Sequence, residues 1–450
     1  MDTRRATRKL AEFVNGTSYK DIPFEVRDHC KLIFLDWLGV TMAGSREEIA
    51  SVMIKMVREI DGEVISDQAT VLGKGVKTDI LKAALANGSM SHALDLDDYH
   101  GPTITHPTAT FLPAILAVAE NNNLGGRDII TAMTVAFDVL VRIGYGAKRI
   151  HYDRGWHATS TLGRFGAAAG AGKLMGLNVD ALVNAFGIAG TVAGGVRQVF
   201  GTMGKPFHAG KASMDGILAA LLAQKGFDCS KEIIEGENGF MHLFSENPDI
   251  DKMLDRLGKY YHLPTVSFKP YASCGGTHTT IDLMRELRGK EDIPIDEVEE
   301  IIIEVSRIMV DAAGKIEPKN ALEGKFSVYY CAAVALAEGG AGLDKFTNEK
   351  VNAPELVALR KKVKTVIVPE TDLHFGARAV IRMKDGREFR ACAKSPKGGP
   401  ENPLSYDELV GKFRGLVENV IPAGNIDELV ARIMKLEDVS NIGDMLSLCS

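Results

Sequence analysis

The stretch SHALDLDDYHGPTITHP, running from Ser91 to Pro107, sets His92, Asp95, Asp97, Asp98, His100 and His106 close together between two apolar helical runs. Ionisable groups crowded into apolar surroundings shift one another's proton affinity, so the segment is a candidate for acid–base chemistry. Asp and His also favour turns and caps, and a solvated acidic loop would have the same composition. Chemistry gains weight because polar islands of the same kind recur along the chain.

In RGWHATSTLGRFG, His157 stands between Trp156 and a Thr/Ser cluster suited to capping the next helix. A third island, GGVRQVFGTMGKPFHAGKASMDG, carries Arg197, Lys205, His208 and Lys211 among glycines. Pro206 follows Lys205 where a phosphate loop has Ser or Thr, so that motif is absent. Glycine here permits close approach, while Lys205 and the helix start after it attract an anion. SFKPYASCGGTHTTID places Lys269, Cys274 and His278 at a change in sequence character, and KFSVYYCAAVAL opens an apolar helix with Tyr329 and Tyr330. Each island also has a plain reading: a packed histidine, solvated lysines, an inert thiol, core tyrosines with bonded hydroxyls.

The elements that must position these groups are mostly helical. IPFEVRDHCKLIFLDWLGVTMAG begins at a proline, ends at Gly44 and repeats apolar residues at helical spacing. Ser45 with Glu48 predicts a capping box for the next helix. ATVLG predicts a short strand, and DILKAALANGSMSHAL leads by helix into the first island. From Pro107 to Phe227 helical runs follow one another, many of their interior positions being Ala or Gly, which lets helix axes approach closely. After Thr265 the runs VEEIIIEVSRIMV, KKVKTVIVPE and ARAVIRMKDGREFRACA read as strands, with a hairpin turn at Lys384-Asp385-Gly386. SPKGGPENPLS reads as a linker, and the segments after it return to amphipathic helix. The expectation is a mainly α protein: a large all-helical domain from residues 1–265 and 400–450, and a smaller α+β domain over 266–399.

Composition narrows the function classes. The chain has 450 residues, of which 45% are hydrophobic and 25% charged, and its net charge is −6. Without basic runs there is no electrostatic footprint for nucleic acid or an anionic membrane. No apolar run reaches the roughly eighteen residues of a membrane span, and MDTRRATRKLAEF is a polar amphipathic start, so a cytoplasmic protein is expected. Six scattered cysteines without a CxxC pair predict neither a disulfide framework nor a zinc–thiolate site.

LDLDD with THP, GWHATST, GTMGKPFHAGKAS, FKPYASCGGTH and FSVYY, in this order, resemble the MmgE/PrpD family across essentially the whole chain. That family includes 2-methylcitrate dehydratases, cis-aconitate decarboxylases and an iminodisuccinate epimerase. The resemblance implies a helical domain built from both chain ends, an α+β lid domain and a homodimer. It also implies a cofactor-free, metal-independent site between the domains containing Asp95, His106, His157, Lys205, Lys269 and Tyr330. Otherwise the ligand types of His92, Asp95, Asp97, Asp98 and His100 would suit iron or zinc. Two departures stand out: Tyr99 and His100 replace the Thr-Trp of better-known members, and the gap to His106 is about one residue longer than in the decarboxylases.

The reactions of such a family have one chemical need in common. Dehydration, decarboxylation and epimerisation of a polycarboxylate each build negative charge beside a carboxylate, and cations must hold it. Lys205 and Lys269 are expected to supply them, with Arg197 available for bidentate contact. An imidazole, whose ordinary pKa of about 6.5 permits give and take near neutrality, must move the proton. His106 is assigned that step, His157 the second acid or base, Asp95 the orienting of a histidine, and Tyr330 the part of alternative donor. Tyr99, Arg197 and His278 join the lysines as candidate substrate contacts. Dehydration of a 2-methylcitrate-like hydroxy acid is the leading expectation, with decarboxylation or epimerisation on the same scaffold as alternatives. A non-catalytic binder of an acidic metabolite is the alternative of another class.

Overall fold

A computed structural model describes residues 5–62, 66–369, 373 and 375–449. Residues 1–4 of the amphipathic start and Glu370 at the end of one strand run lie outside them. The fold is mainly α with a smaller α+β portion. The chain divides into two compact units, one comprising Met1–Ser267 with Ser405–Ser450 and the other Phe268–Leu404.

The first unit is built around the helices Ile80–Ser91, Thr108–Asn121, Gly126–Ala147, Ala158–Leu174 and Gly204–Gln224. Asp79 starts the first of them by accepting the amide hydrogens of Leu81 and Lys82. Small residues then decide how closely the helices pack. At the crossing of Ile80–Ser91 with Gly204–Gln224, a β-carbon added to Gly88 would fall 2.6 Å from the Gly210 α-carbon. Backbones at that separation leave no room for a side chain, which fixes the end of one helix beside the start of the other. From the far end of the chain, Phe413 of the helix Tyr406–Val417 packs on Gly39 of Phe24–Gly44.

Most local signals held, with several exceptions; one is the strand run VEEIIIEVSRIMV, which ends at Ser306, its last four residues opening the helix Arg307–Ala313. The strand expected at ATVLG forms, as Ala69–Val71 paired antiparallel with Val76–Thr78, so the helical unit carries a two-stranded ribbon. The capping box at Ser45 and Glu48 does not form. Ser45 ends the preceding helix, its hydroxyl donating to Met42 O, and the next helix starts at Glu48 after an uncapped Glu47. The Thr/Ser cluster after His157 likewise lies inside the first turn of its helix, with His157 itself at the cap position. Gly126–Ala147 is long and apolar enough to cross a membrane by length and composition, which the count of apolar runs overlooked. Within that apolar stretch 94% is buried in protein, and Arg142 and Asp138 pair inside the helix at 2.8 Å. This is the profile of a core helix.

The second unit holds a four-stranded sheet. Val298–Ser306 pairs parallel with Val363–Val368 on one side and antiparallel with Ala377–Met383 on the other, and Glu388–Ala393 completes the sheet through the expected hairpin. Ile301, Ile303 and Val305 alternate inward, towards the helices His278–Lys290 and Val328–Glu338 that pack with the sheet. The polar positions pair across strands, Glu300 with Lys364 at 2.7 Å and Glu304 with Arg378 at 2.9 Å.

Candidate active site

The Ile80–Ser91 helix ends one residue before His92, and the chain then turns sharply through Asp95, a non-glycine residue at φ 54°. Asp tolerates this left-handed conformation better than most side chains. Ile104, at φ 52°, has no such tolerance, so strain is held in the same loop. What keeps it there is an antiparallel bridge between His100 and Thr105, with His100 N–H donating to Thr105 O at 2.8 Å. The loop thus closes on itself before delivering His106, whose backbone N–H donates to Thr159 Oγ1 at 3.0 Å. That bond ties the first island to the helix that begins just after His157.

Asp97 is the centre of the cluster. Its Oδ2 accepts from His92 Nδ1 at 2.8 Å, and His106 Nδ1 lies 3.2 Å from the same oxygen as an ion-pair contact off the ideal hydrogen-bond direction. Burial alone would raise this carboxyl, but the two imidazoles override it and hold Asp97 well below the ordinary carboxylate range. Burial, followed by the opposing pull of Asp97, leaves His92 lowered to about 4. With Nδ1–H committed to Asp97, His92 keeps a lone pair on Nε2, an enclosed nitrogen without a hydrogen-bond partner among the described residues. A neutral imidazole oriented by a buried carboxylate has the form of a general base.

Opposite this dyad, Lys205 donates to Asp95 Oδ1 in a buried ion pair, and His106 Nε2 lies 4.0 Å from the same carboxylate oxygen. Lys205 sits within the first turn of Gly204–Gln224, which begins earlier than the sequence suggested because Pro206 is compatible with a helix start. His157 completes the set. Its ring stacks on that of His92 with centroids 6.0 Å apart, and its Nδ1 is 3.0 Å from His208 Nδ1. Burial first, then His92 and Lys205, push His157 well below the ordinary histidine value. Arg164 anchors the wall behind it through Asp215 Oδ2 at 2.8 Å and the carbonyls of Ser160 and Gly194.

The structure therefore brings together Asp95, His106, His157 and Lys205. Three further groups belong to the cluster that sequence reasoning did not assign to the reaction: His92, Asp97 and His208. The first two stood in the same island, but only the fold shows which carboxylate meets which imidazole. His100 does not join them. Its Nδ1 bonds Thr103 Oγ1 at 2.8 Å, its ring meets Phe137 and Tyr145 edge-on, and burial pushes it down to about 3. Asp98 is likewise enclosed. It accepts from Thr108 Oγ1 at 2.6 Å and is raised well above the carboxylate range by burial, despite that bond and with the help of Asp97.

Tyr99 exchanges backbone hydrogen bonds with Ser267 at 2.8 and 2.9 Å. Arg197 lies 3.8 Å over the Tyr152 ring and donates to Tyr152 O, so its guanidinium supports a turn. The remaining candidates belong to the second unit. Lys269 is buried there, His278 Nε2 lies 3.1 Å from Ser273 O, and Tyr330 donates its hydroxyl hydrogen to Lys345 O. Burial raises the Tyr330 phenol above its ordinary value.

His92, Asp95, Asp97 and His106 each offer a ligand atom, all within 4.8 Å of one another, the donor types and spacing of a divalent-metal site. Within this set the Lys205 ammonium already meets Asp95, so the chain supplies one positive charge of its own.

The chain matches the MmgE/PrpD N-terminal domain over residues 8–253 and the MmgE/PrpD C-terminal domain over residues 271–436. It is 28% identical to a cis-aconitate decarboxylase-like protein of Aspergillus oryzae, covering 99% of this chain and 97% of that one. A cis-aconitate decarboxylase of Aspergillus terreus is 26% identical, with 98% and 95% covered. The mitochondrial 2-methylcitrate dehydratase of Yarrowia lipolytica is 23% identical over 81% of this chain and 72% of its own. With both domains matched in order and relatives that run nearly its full length, this protein belongs to the MmgE/PrpD family.

Proposed function

We propose that the protein is a lyase acting on a di- or tricarboxylate, moving protons with imidazoles beside a charge-holding ammonium and needing no cofactor. The observation that carries this reading is the juxtaposition of the buried Asp97–His92 dyad with the Lys205–Asp95 pair, bridged by His106. An anion developing next to a substrate carboxylate would be held by Lys205, because a preorganised cation in an enclosed site stabilises charge far better than water does. One of His106, His92 and His157 would take or give the proton at carbon, and another of these imidazoles would serve the other end of the reaction. Lys269 is proposed as a second carboxylate-binding cation, and Tyr330 as an alternative donor once its bond to Lys345 O is released.

Two reactions fit one set of groups. In decarboxylation, the electrons of the breaking C–C bond pass into an unsaturated system, and an imidazole protonates the carbon that receives them. In dehydration, an imidazole removes a proton beside a carboxylate, and a second imidazole protonates the departing hydroxide. Decarboxylation of an unsaturated tricarboxylate is favoured by relatives of that name extending over nearly the whole chain. Dehydration of a 2-methylcitrate-like acid is the second reading, favoured by the relative named 2-methylcitrate dehydratase, which matches at lower identity and coverage.

Incubating the purified chain with cis-aconitate and with 2-methylcitrate separates the two. Released carbon dioxide marks decarboxylation, and a new ultraviolet-absorbing unsaturated product marks dehydration. Tight binding of these acids without turnover would replace both readings with a binding protein. Full turnover by Lys205→Met would remove the physical basis of the assignment.

A further inference from the structure

His157 and His208 face each other through like atoms, Nδ1 to Nδ1 at 3.0 Å. A hydrogen bond between two neutral imidazoles needs one proton between those nitrogens, so the rings hold complementary tautomers. His157 is enclosed at 2% exposure, whereas His208 is partly exposed. His208 sits one turn after Lys205 on the same helix, and Gly195 leaves it room, since a β-carbon there would come within 3.2 Å of His208 Cε1. The pair thus runs from the buried cluster towards solvent.

We propose that His208 is the outer member of a two-imidazole proton relay through which His157 exchanges its proton with water; the proposal rests on the reading of His157 as a proton-transfer group. The step balances without leaving a cation behind. As the substrate C–H bond breaks, its electron pair stays on carbon and the proton joins His157 Nε2. The proton on His157 Nδ1 passes to His208 Nδ1, and His208 releases its Nε2 proton to water. Both rings end neutral with their tautomers exchanged. Protonation of a departing group by His157 Nε2–H drives the same chain in reverse and resets it.

The physical need for such a chain is local. His157 is surrounded by His92 and His106 from the first island, Lys205 and His208 from the helix after it, and the Phe200 ring at 4.9 Å. An imidazolium formed there would be desolvated and beside an ammonium, and burial and that ammonium oppose it. Passing the charge outward as the proton arrives avoids the state altogether. Arg164, acting on His208 after burial, keeps the outer ring from trapping the proton.

The test uses His208→Asn, His208→Ala and His157→Ala in the full chain, with whichever of cis-aconitate or 2-methylcitrate is turned over. Asn keeps a hydrogen-bonding group facing His157 Nδ1 but cannot pass a proton through itself. The relay predicts that His208→Asn and His208→Ala each lower kcat by about 10- to 100-fold with KM little changed. It also predicts that added imidazole restores kcat in His208→Ala, and that 15N spectra show the His157 tautomer altered in that variant. Unchanged kcat in both His208 variants overturns the relay, as does a loss in His208→Ala that imidazole does not restore. If His157→Ala abolishes turnover while His208→Ala retains it, the relay alone fails. Retention of turnover by His157→Ala removes the underlying reading of the site and the relay with it.

Discussion

Asp97 Oδ2 stands 2.8 Å from His92 Nδ1, and both side chains are fully enclosed. The carboxylate therefore dictates which nitrogen of His92 carries hydrogen. Asp97→Asn keeps the volume but presents an amide that can hold the ring in either tautomer, and it removes the negative charge shared with His106. The expected result is a fall in kcat of about 10²- to 10⁴-fold in a folded protein, measured by steady-state kinetics beside a thermal melt.

Lys205 and Asp95 are both buried, so removing one takes from the other its ion-pair partner. Lys205→Met is expected to abolish turnover and to destabilise the fold by about 3–5 kcal/mol through loss of that buried pair. Adding Asp95→Leu to that variant should recover stability while activity stays lost. Denaturant unfolding of the two variants checks this, and recovery of activity in the double variant would contradict the assigned role of the ammonium.

Stability should depend on pH in a defined direction. Burial lowers His29, His92, His151, His208 and His262 to about 4 and His100 to about 3. Their unfolded value is about 6.5. Between the two values the unfolded chain binds protons that the native chain does not, so stability is complete above the unfolded pKa and is lost as pH falls through this window. Each histidine protonated only on unfolding contributes a slope of about 1.4 kcal/mol per pH unit. Asp98, Asp138 and Asp282, raised by burial, oppose the trend but are outnumbered by these histidines. Melting temperatures recorded from pH 8 down to pH 4 should fall steeply below about 6.5. A flat profile would show that these rings are not held neutral.

The metal-ligand spacing of His92, Asp95, Asp97 and His106 permits a direct check. Dialysis against a strong chelator is expected to leave turnover unchanged, because Lys205 supplies the positive charge opposite the carboxylates. Loss of turnover, restored by a divalent ion, would assign that charge to a metal instead.

The helix crossing is expected to act on stability and site geometry together. A β-carbon at Gly210 would lie 2.1 Å from Leu85 O, backbone that cannot step aside. Gly210→Ala should cost about 1–3 kcal/mol and lower kcat, since the two helices carry His92 and Lys205 at their facing ends. An unchanged melt would show that the crossing is loose.

Much of the fold was legible because its signals are local. The run DILKAALANGSMSHAL located Ile80–Ser91, and the strand-like runs flanking Lys384-Asp385-Gly386 located the hairpin of the second unit. Where two local signals competed, the sequence misled. Ser45 could cap the helix after it or close the one before it, and the continuous helix through Gly44 settled the matter.

The composition of the site was legible in the same way, through the island at residues 91–107 and through Lys205 and His157. The pairing within it was not. Asp95, Asp97 and Asp98 are near-equivalent in sequence, yet one meets an ammonium, one meets two imidazoles and one is sealed against Thr108. Their fates diverge because a left-handed turn at Asp95 and a closed loop at His100–Thr105 send successive side chains in different directions. Side-chain type is a property of the chain, and so is the periodicity that makes its helices. The proton affinity of a carboxylate depends instead on burial and on partners as distant in sequence as Lys205 is from Asp95, and those exist only once helices packed through glycine bring them together.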